Sequence, residues 1–243
     1  MKYFLLFHLI FANILYTFSQ EILNNDDGNK YLLNPSFEIL NGCPIAAGEF
    51  NLCQSWYCPW IRETPDYFCI DCDSLANNII LDNLDSKDGN CFVRIIIRYW
   101  KYYSAQEHIQ TKLLSSLKTG EKYKLSFYMR TGEESSYFTD RIAVALTVDS
   151  LESYDYVNKK RYYMIGFKEA KLIKDKNFFS HDYQWQKVEI EFIAEGDEKF
   201  LTVGIFANNL KGYKREKFYR TYRGDSTRVG YYDLDMFELI KVE

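Results

Sequence analysis

Lys122-Tyr123-Lys124-Leu125-Ser126-Phe127-Tyr128-Met129 decides the fold class: Tyr123, Leu125, Phe127 and Met129 fall on one side of an extended chain and Lys122, Lys124, Ser126 and Tyr128 on the other. A period of two places alternate side chains on opposite faces of a strand. Four more segments repeat the pattern. Ile142, Val144, Leu146 and Val148 alternate with Ala143, Ala145 and Thr147, and Val188, Ile190 and Phe192 with Lys187, Glu189 and Glu191. Leu201, Val203 and Ile205 form a further run, as do Cys91, Val93, Ile95 and Ile97. No segment of similar length carries a 3.6-residue stripe. Asp88-Gly89-Asn90, Thr119-Gly120, Thr131-Gly132-Glu133 and Gly196-Asp197 separate the runs with turn chemistry. The expected fold is all-β, a two-sheet antiparallel β-sandwich.

Composition supports this. Aromatic residues make up 18% of the chain, with 21 Tyr and 18 Phe, and aromatic and β-branched residues suit half-buried pleated surfaces. The net charge of −4 argues against nucleic acid, which needs a basic excess. Residues 1–20 read as a signal peptide: Lys2, an apolar run from Tyr3 to Tyr16, then Thr17-Phe18-Ser19. The run is short for a membrane span, and no later stretch is apolar enough for one. Residues 21–243 are expected to form a single domain, exported to the periplasm, the cell envelope or the outside.

Six cysteines, Cys43, Cys53, Cys58, Cys69, Cys72 and Cys91, lie in the first half of the chain. In an exported protein they point to disulfides, with fifteen possible pairings. Cys69-Ile70-Asp71-Cys72 also has the spacing of half a zinc site, with Cys53 and Cys58 as the other half, or of a redox pair. Export favours structural disulfides. Residues 41–87 and 149–184 read as long excursions without strands, and 210–229 as a basic, Tyr-rich loop.

The ends and the middle together resemble a family. Leu33-Asn34-Pro35-Ser36-Phe37-Glu38 resembles the opening of galactose-binding-like, carbohydrate-binding-module-type jelly rolls, and Tyr231-Tyr232-Asp233-Leu234-Asp235-Met236-Phe237-Glu238-Leu239 resembles their closing strand. Trp56, Thr64-Pro65-Asp66-Tyr67-Phe68, Glu107 to Leu113, Leu117 to Tyr128, Phe138 to Ile142 and Trp185 to Phe206 resemble, in order, segments of such domains in Bacteroidetes envelope proteins, where an OmpA-like domain often follows. Here Glu243 comes just after the closing strand, so the domain is expected to stand alone. The resemblance implies a jelly roll whose first and last strands pair. It also implies a structural Ca²⁺ at the positions matched by Glu38 and Asp235, although Met236 replaces one carboxylate of the closing motif.

Sugar sites combine aromatic faces with a few polar groups. The candidate platforms are Trp56, Tyr57, Trp60, Tyr99, Trp100, Tyr102 and Tyr103. Trp60, Tyr99, Trp100 and Tyr102 are favoured for ligand contact, while Trp56 and Trp185 read as core or loop-pinning residues. Asp66 is a further ligand candidate, with a loop staple as the alternative. The basic loop, Lys211 to Arg228, could meet an anionic partner or simply be solvated. No nucleophile elbow, zinc-protease motif or phosphate loop is present. His108 is expected in a strand. The reading is a non-catalytic binding module for a carbohydrate or envelope glycan. The alternatives are a structural or protein-docking component that meets an envelope protein, or a glycoside hydrolase using an unlocated carboxylate pair.

Overall fold

The computed structural model describes residues 30–60, 63–72, 85–99, 106–132, 135, 138–151, 170–175, 183–206 and 229–242, with the side chains of 98 and 99 outside the description. The signal segment, Trp100, Tyr102, Tyr103, His181 and the basic loop from Lys211 to Arg228 lie outside these residues. Among the described residues ten strands form, in chain order β1 (Trp56–Tyr57), β2 (Asp66–Cys69), β3 (Cys91–Tyr99), β4 (His108–Lys112), β5 (Lys122–Thr131), β6 (Arg141–Thr147), β7 (Lys171–Lys174), β8 (Gln186–Ile193), β9 (Phe200–Gly204) and β10 (Val229–Val242). They build two five-stranded sheets, β1-β4-β9-β6-β7 and β2-β3-β10-β5-β8. Every pairing is antiparallel. No helix among the described residues is long and apolar enough to cross a membrane.

The period-two runs land as their pattern requires. Val93, Ile95, Ile97, Leu125, Phe127, Ile142, Val144, Val188, Leu201 and Val203 share one core between the sheets. β10 needs an extra device because its apolar residues change phase, from Tyr232 and Leu234 to Phe237 and Leu239. A register shift between Asp235 and Glu238 absorbs the change, with Met236 at φ 51° and pointing out. Such a bulge re-aims the strand without breaking it. Met236 therefore occupies a bulge, in addition to replacing a carboxylate.

Two turns depend on glycine. Gly196 sits at φ 111°, and a Cβ there would lie 1.9 Å from Thr119 Oγ1. Gly89 sits at φ 59°, with Glu38 Cδ 2.4 Å from where a Cβ would be.

Three expectations are corrected. The front excursion contains a short 3₁₀ turn (Phe50–Leu52), β1 and β2, and the second excursion contains β7; these elements are too short for periodicity to reveal. The opening motif is a turn and not a strand. It still meets the closing strand, through Phe237 N–H donating to Pro35 O at 2.9 Å. Four cysteines pair, as Cys43–Cys72 and Cys69–Cys91, but Cys53 and Cys58 stay thiols. The Cys53 thiol is buried and accepts a hydrogen bond from Asn34 Nδ2, while the Cys58 thiol donates to Trp60 O at 3.1 Å. They are thus held in separate surroundings. With Cys69 and Cys72 each bonded elsewhere, the CxxC is neither half a zinc site nor an internal disulfide here.

The outer face of the second sheet carries a buried ion-pair group instead of a solvated row. Asp233, with no solvent exposure, accepts from Arg94 Nε at 2.6 Å and Nη2 at 3.1 Å, and from Arg130 Nε at 3.0 Å. Arg94 lies over Phe68 and Tyr231, and Arg130 over Phe92 and Trp185. Arg130 also pairs with Asp85. The outer strand β8 differs: Lys187, Glu189 and Glu191 are exposed along it, paired as Lys122–Glu191 and Lys187–Glu189.

Removing one partner of a buried charge group costs about 3–5 kcal/mol because the other charges lose compensation. Asp233→Ala is therefore expected to lower unfolding free energy by about that amount in a urea titration. A loss below about 1 kcal/mol would show that the guanidiniums are solvated.

Candidate functional site

β1 belongs to one sheet and β2 to the other, and both are outer strands. The residues between them, around 58–65, must cross from sheet to sheet. Residues 106 and 107, just before β4, lie beside them. Charged and aromatic groups gather there. Glu107 accepts from Ile96 N–H at 2.8 Å and from Thr64 N–H at 3.1 Å. Glu63 accepts from His108 N–H at 2.8 Å and lies 3.0 and 3.1 Å from His108 Nδ1. His108 Nε2 lies 3.1 Å from Ile205 O, so the ring is held at both nitrogens. Gly204 makes room for that ring, since a Cβ there would sit 2.5 Å from His108 Cδ2. His108 opens β4, as a strand residue should. Neither Glu63 nor Glu107 announces itself in the sequence, because only the crossing brings them together.

Burial pushes the Glu107 carboxyl up to about 8 despite the two N–H donors, and the nearby Asp66 and Glu63 add to the rise. Burial also raises the Cys58 thiol, reinforced by Glu63, so this cysteine is not an activated nucleophile.

Trp60 lies within this crossing segment. Its ring packs against Phe206 and the small floor of Ala143 and Ala145 on the outer face of the first sheet, 6.1 Å from the His108 ring. Its Nε1 is buried and has no hydrogen-bond partner among the described residues. Beside it runs a polar ladder across opposed strand positions. Tyr57 O–H and Ser150 O–H each donate to Gln110 Oε1 at 2.7 Å, and Gln110 Nε2 donates to Thr202 Oγ1 at 2.7 Å.

The other candidates are placed as follows. Asp66 Oδ1 accepts from Gly48 N–H at 2.7 Å, a bond across 18 residues and not a local Asx-type cap, and burial raises its carboxyl. Trp56 is in the core, its indole N–H on Asn34 O. Trp185 is half-buried against Phe92, with an unpartnered Nε1. Tyr99 ends β3 and its side chain lies outside the described residues, as do Trp100 and Tyr102.

Glu38 and Asp235 act on one loop. Glu38 Oε1 accepts from Asn90 N–H at 2.9 Å and Cys91 N–H at 2.7 Å. Asp235, wholly buried, accepts from Lys87 N–H at 2.7 Å, Asp88 N–H at 3.0 Å and Met236 N–H at 2.6 Å. Burial raises its carboxyl to about 7 even so. A calcium ion wants six to eight converging oxygens, whereas these carboxylates are spent on amide hydrogens. Among the described residues, no three His, Cys, Asp or Glu side chains group to hold a metal ion. The pair forms a hydrogen-bonded clasp on residues 87–91.

No family model matches the sequence, and no curated protein matches it significantly. Among solved structures, it is similar to two cleaved adhesin domains of Lys-gingipain, one recorded from Porphyromonas gingivalis. One is 14% identical, with TM-score 0.40, covering 86% of this chain and 96% of that one; the other is 10% identical, with TM-score 0.43, covering 86% and 97%. A xylan-binding domain from Paenibacillus barcinonensis is 14% identical, with TM-score 0.39, covering 89% and 97%. The sandwich assignment itself rests on the strand pairing above.

Two outcomes are expected. Glu107 keeps its proton in the fold up to about 8, against 4.5 ordinarily. Between those values the unfolded chain has released the proton and the fold has not, so stability falls as pH rises through the window. Thermal melts at pH 5 and pH 8 should show that fall, and Glu107→Gln, neutral throughout, should remove about 2–4 °C of it for each kcal/mol involved. Equal falls in the two proteins would place Glu107 in a solvated setting. Separately, a resident calcium at a thousand times its Kd would add about 4.1 kcal/mol; melts in EDTA and in millimolar calcium should instead superimpose. A Tm raised several degrees by calcium would show that the metal binds.

Proposed function

We propose that this chain is a non-catalytic binding module for a glycan, met on the outer face of the first sheet at Trp60. The observation that carries the reading is the state of Trp60: a half-buried indole over a floor of small residues, with a buried N–H that nothing among the described residues accepts. A buried donor without a partner costs about 1–3 kcal/mol. The part of the indole left exposed suits the apolar side of a pyranose. Pockets for such ligands use few polar groups on an apolar base, and the Tyr57–Gln110–Thr202–Ser150 ladder offers hydroxyl and amide groups beside the ring. The carboxylates here are spoken for by backbone N–H groups, which favours binding over hydrolysis. Two disulfides suit an exported protein of the envelope or the exterior.

Titration of tryptophan fluorescence with soluble xylan, a mixed-linkage glucan and peptidoglycan fragments should give a saturable change for one class. Trp60→Ala should weaken that binding roughly tenfold or more, about 1.4 kcal/mol, with Tm within a few degrees of the parent. Absence of binding across a broad glycan array would overturn the reading in favour of protein docking.

A further inference from the structure

The two disulfides differ in accessibility and share one turn. Cys43 is exposed, whereas Cys69, Cys72 and Cys91 are only 3, 5 and 2% exposed. A small reagent therefore reaches the Cys43 end of Cys43–Cys72 and not the sulfurs of Cys69–Cys91. Cys69 and Cys72 lie in a tight turn closed by Cys72 N–H donating to Cys69 O at 3.0 Å. Such a turn keeps the outer Cα atoms within about 7 Å, close to the upper span that a disulfide bridges. Yet neither cysteine bonds to the other. Cys69 is tied to Cys91, its directly opposed partner across β2 and β3, and Cys72 is tied to Cys43, 29 residues away.

We propose that this pair is a disulfide-exchange switch, in which a dithiol reductant opens Cys43–Cys72 and the released Cys72 then takes Cys69 from Cys91. In the first step a reagent thiolate attacks Cys43 Sγ, the Cys43–Cys72 bond breaks, and Cys72 leaves with the electron pair as a thiolate. The reagent's second thiolate closes its own disulfide and frees Cys43 as a thiol. In the second step the Cys72 thiolate attacks Cys69 Sγ, a Cys69–Cys72 bond forms, and Cys91 leaves with the pair and takes up a proton. The reagent has lost two electrons and two protons. The protein has gained both, as the thiols of Cys43 and Cys91, and keeps one disulfide.

Exchange of this kind requires an attacking thiolate with access to the disulfide sulfur, and the shared turn supplies the access that solvent lacks. Its result is mechanical. β2 loses its covalent tie to β3, and the segment carrying Cys43 loses its tie to the end of β2. The pairing of Asp66 to Arg94 and Phe68 to Phe92 and the Gly48–Asp66 bond do not depend on either disulfide, so the front of the domain loosens while the sandwich persists.

Differential alkylation of the native protein tests the switch. Thiols that react at the start are blocked first. Limited dithiothreitol is then added, newly exposed thiols receive a second label, and linkages are mapped by mass spectrometry. The expected dominant singly reduced species carries the second label on Cys43 and Cys91 with Cys69 joined to Cys72. Second label on Cys43 and Cys72 with Cys69–Cys91 intact would overturn the proposal, as would labelling of Cys69 and Cys91 with Cys43–Cys72 intact. Cys43→Ser supplies the Cys72 thiol without a reductant. In the folded variant Cys69–Cys72 is expected to predominate, with Cys91 labelled; Cys72 as the only newly labelled position would count against exchange. The unmutated protein decides the question if the variant fails to fold.

Discussion

Asp233 loses all contact with solvent between two guanidinium groups, and the second sheet is organised around that position. Burying a carboxylate costs several kcal/mol unless its partners meet it with good geometry. Here Arg94 comes from β3 and Arg130 from β5, the two neighbours of β10. The register that brings Arg94, Asp233 and Arg130 level across three strands is the one that turns Val93, Leu234 and Met129 into the core. A slip by one residue would strand three charges and invert the faces together. Aromatic rings then cover the guanidiniums, so the charges are removed from water on a face where alternation alone would leave them solvated.

The parts of this arrangement legible in the sequence are those governed by local repetition. Long strands such as β5 and β8 show their period because each turns a full set of side chains into one core. Short elements do not: β1 has two residues and β2 four, and both sit in a Cys- and Pro-bearing stretch that looks like a loop. Charge burial was equally hidden, since Arg94 and Arg130 occupy positions that read as outward. Pairing among the cysteines was open because connectivity is a property of the folded chain. The resemblance of the ends was informative about contact and less so about form: Pro35 and Phe237 do meet, but through a turn against a bulged strand.

The same contrast governs the site. Trp60 stood out from composition and aromatic clustering. Its surroundings did not, because Glu63 precedes β2, Glu107 and His108 lie at the start of β4 and Phe206 follows β9, and only topology gathers them. Gly204 belongs with them for a steric reason that no motif records. The clasp on residues 87–91 is another case. Glu38 and Asp235 were expected to act together, and they do act on one loop, but through amide hydrogens. Gly89 completes this clasp, since a side chain there would occupy the space of the Glu38 carboxylate.

The charged outer strand has a consequence for how a partner can approach. Strand addition requires an open row of backbone groups that another chain can join in register, and charged side chains on such a row discourage it. β8 presents Lys187, Glu189 and Glu191 along its length, so a guest strand would have to match one positive and two negative charges as well as hydrogen bonds. Peptide capture by sheet extension is therefore disfavoured at this margin. Recognition is left to the faces and connecting segments of the sandwich, whose shape can vary while the ladder of strands stays fixed.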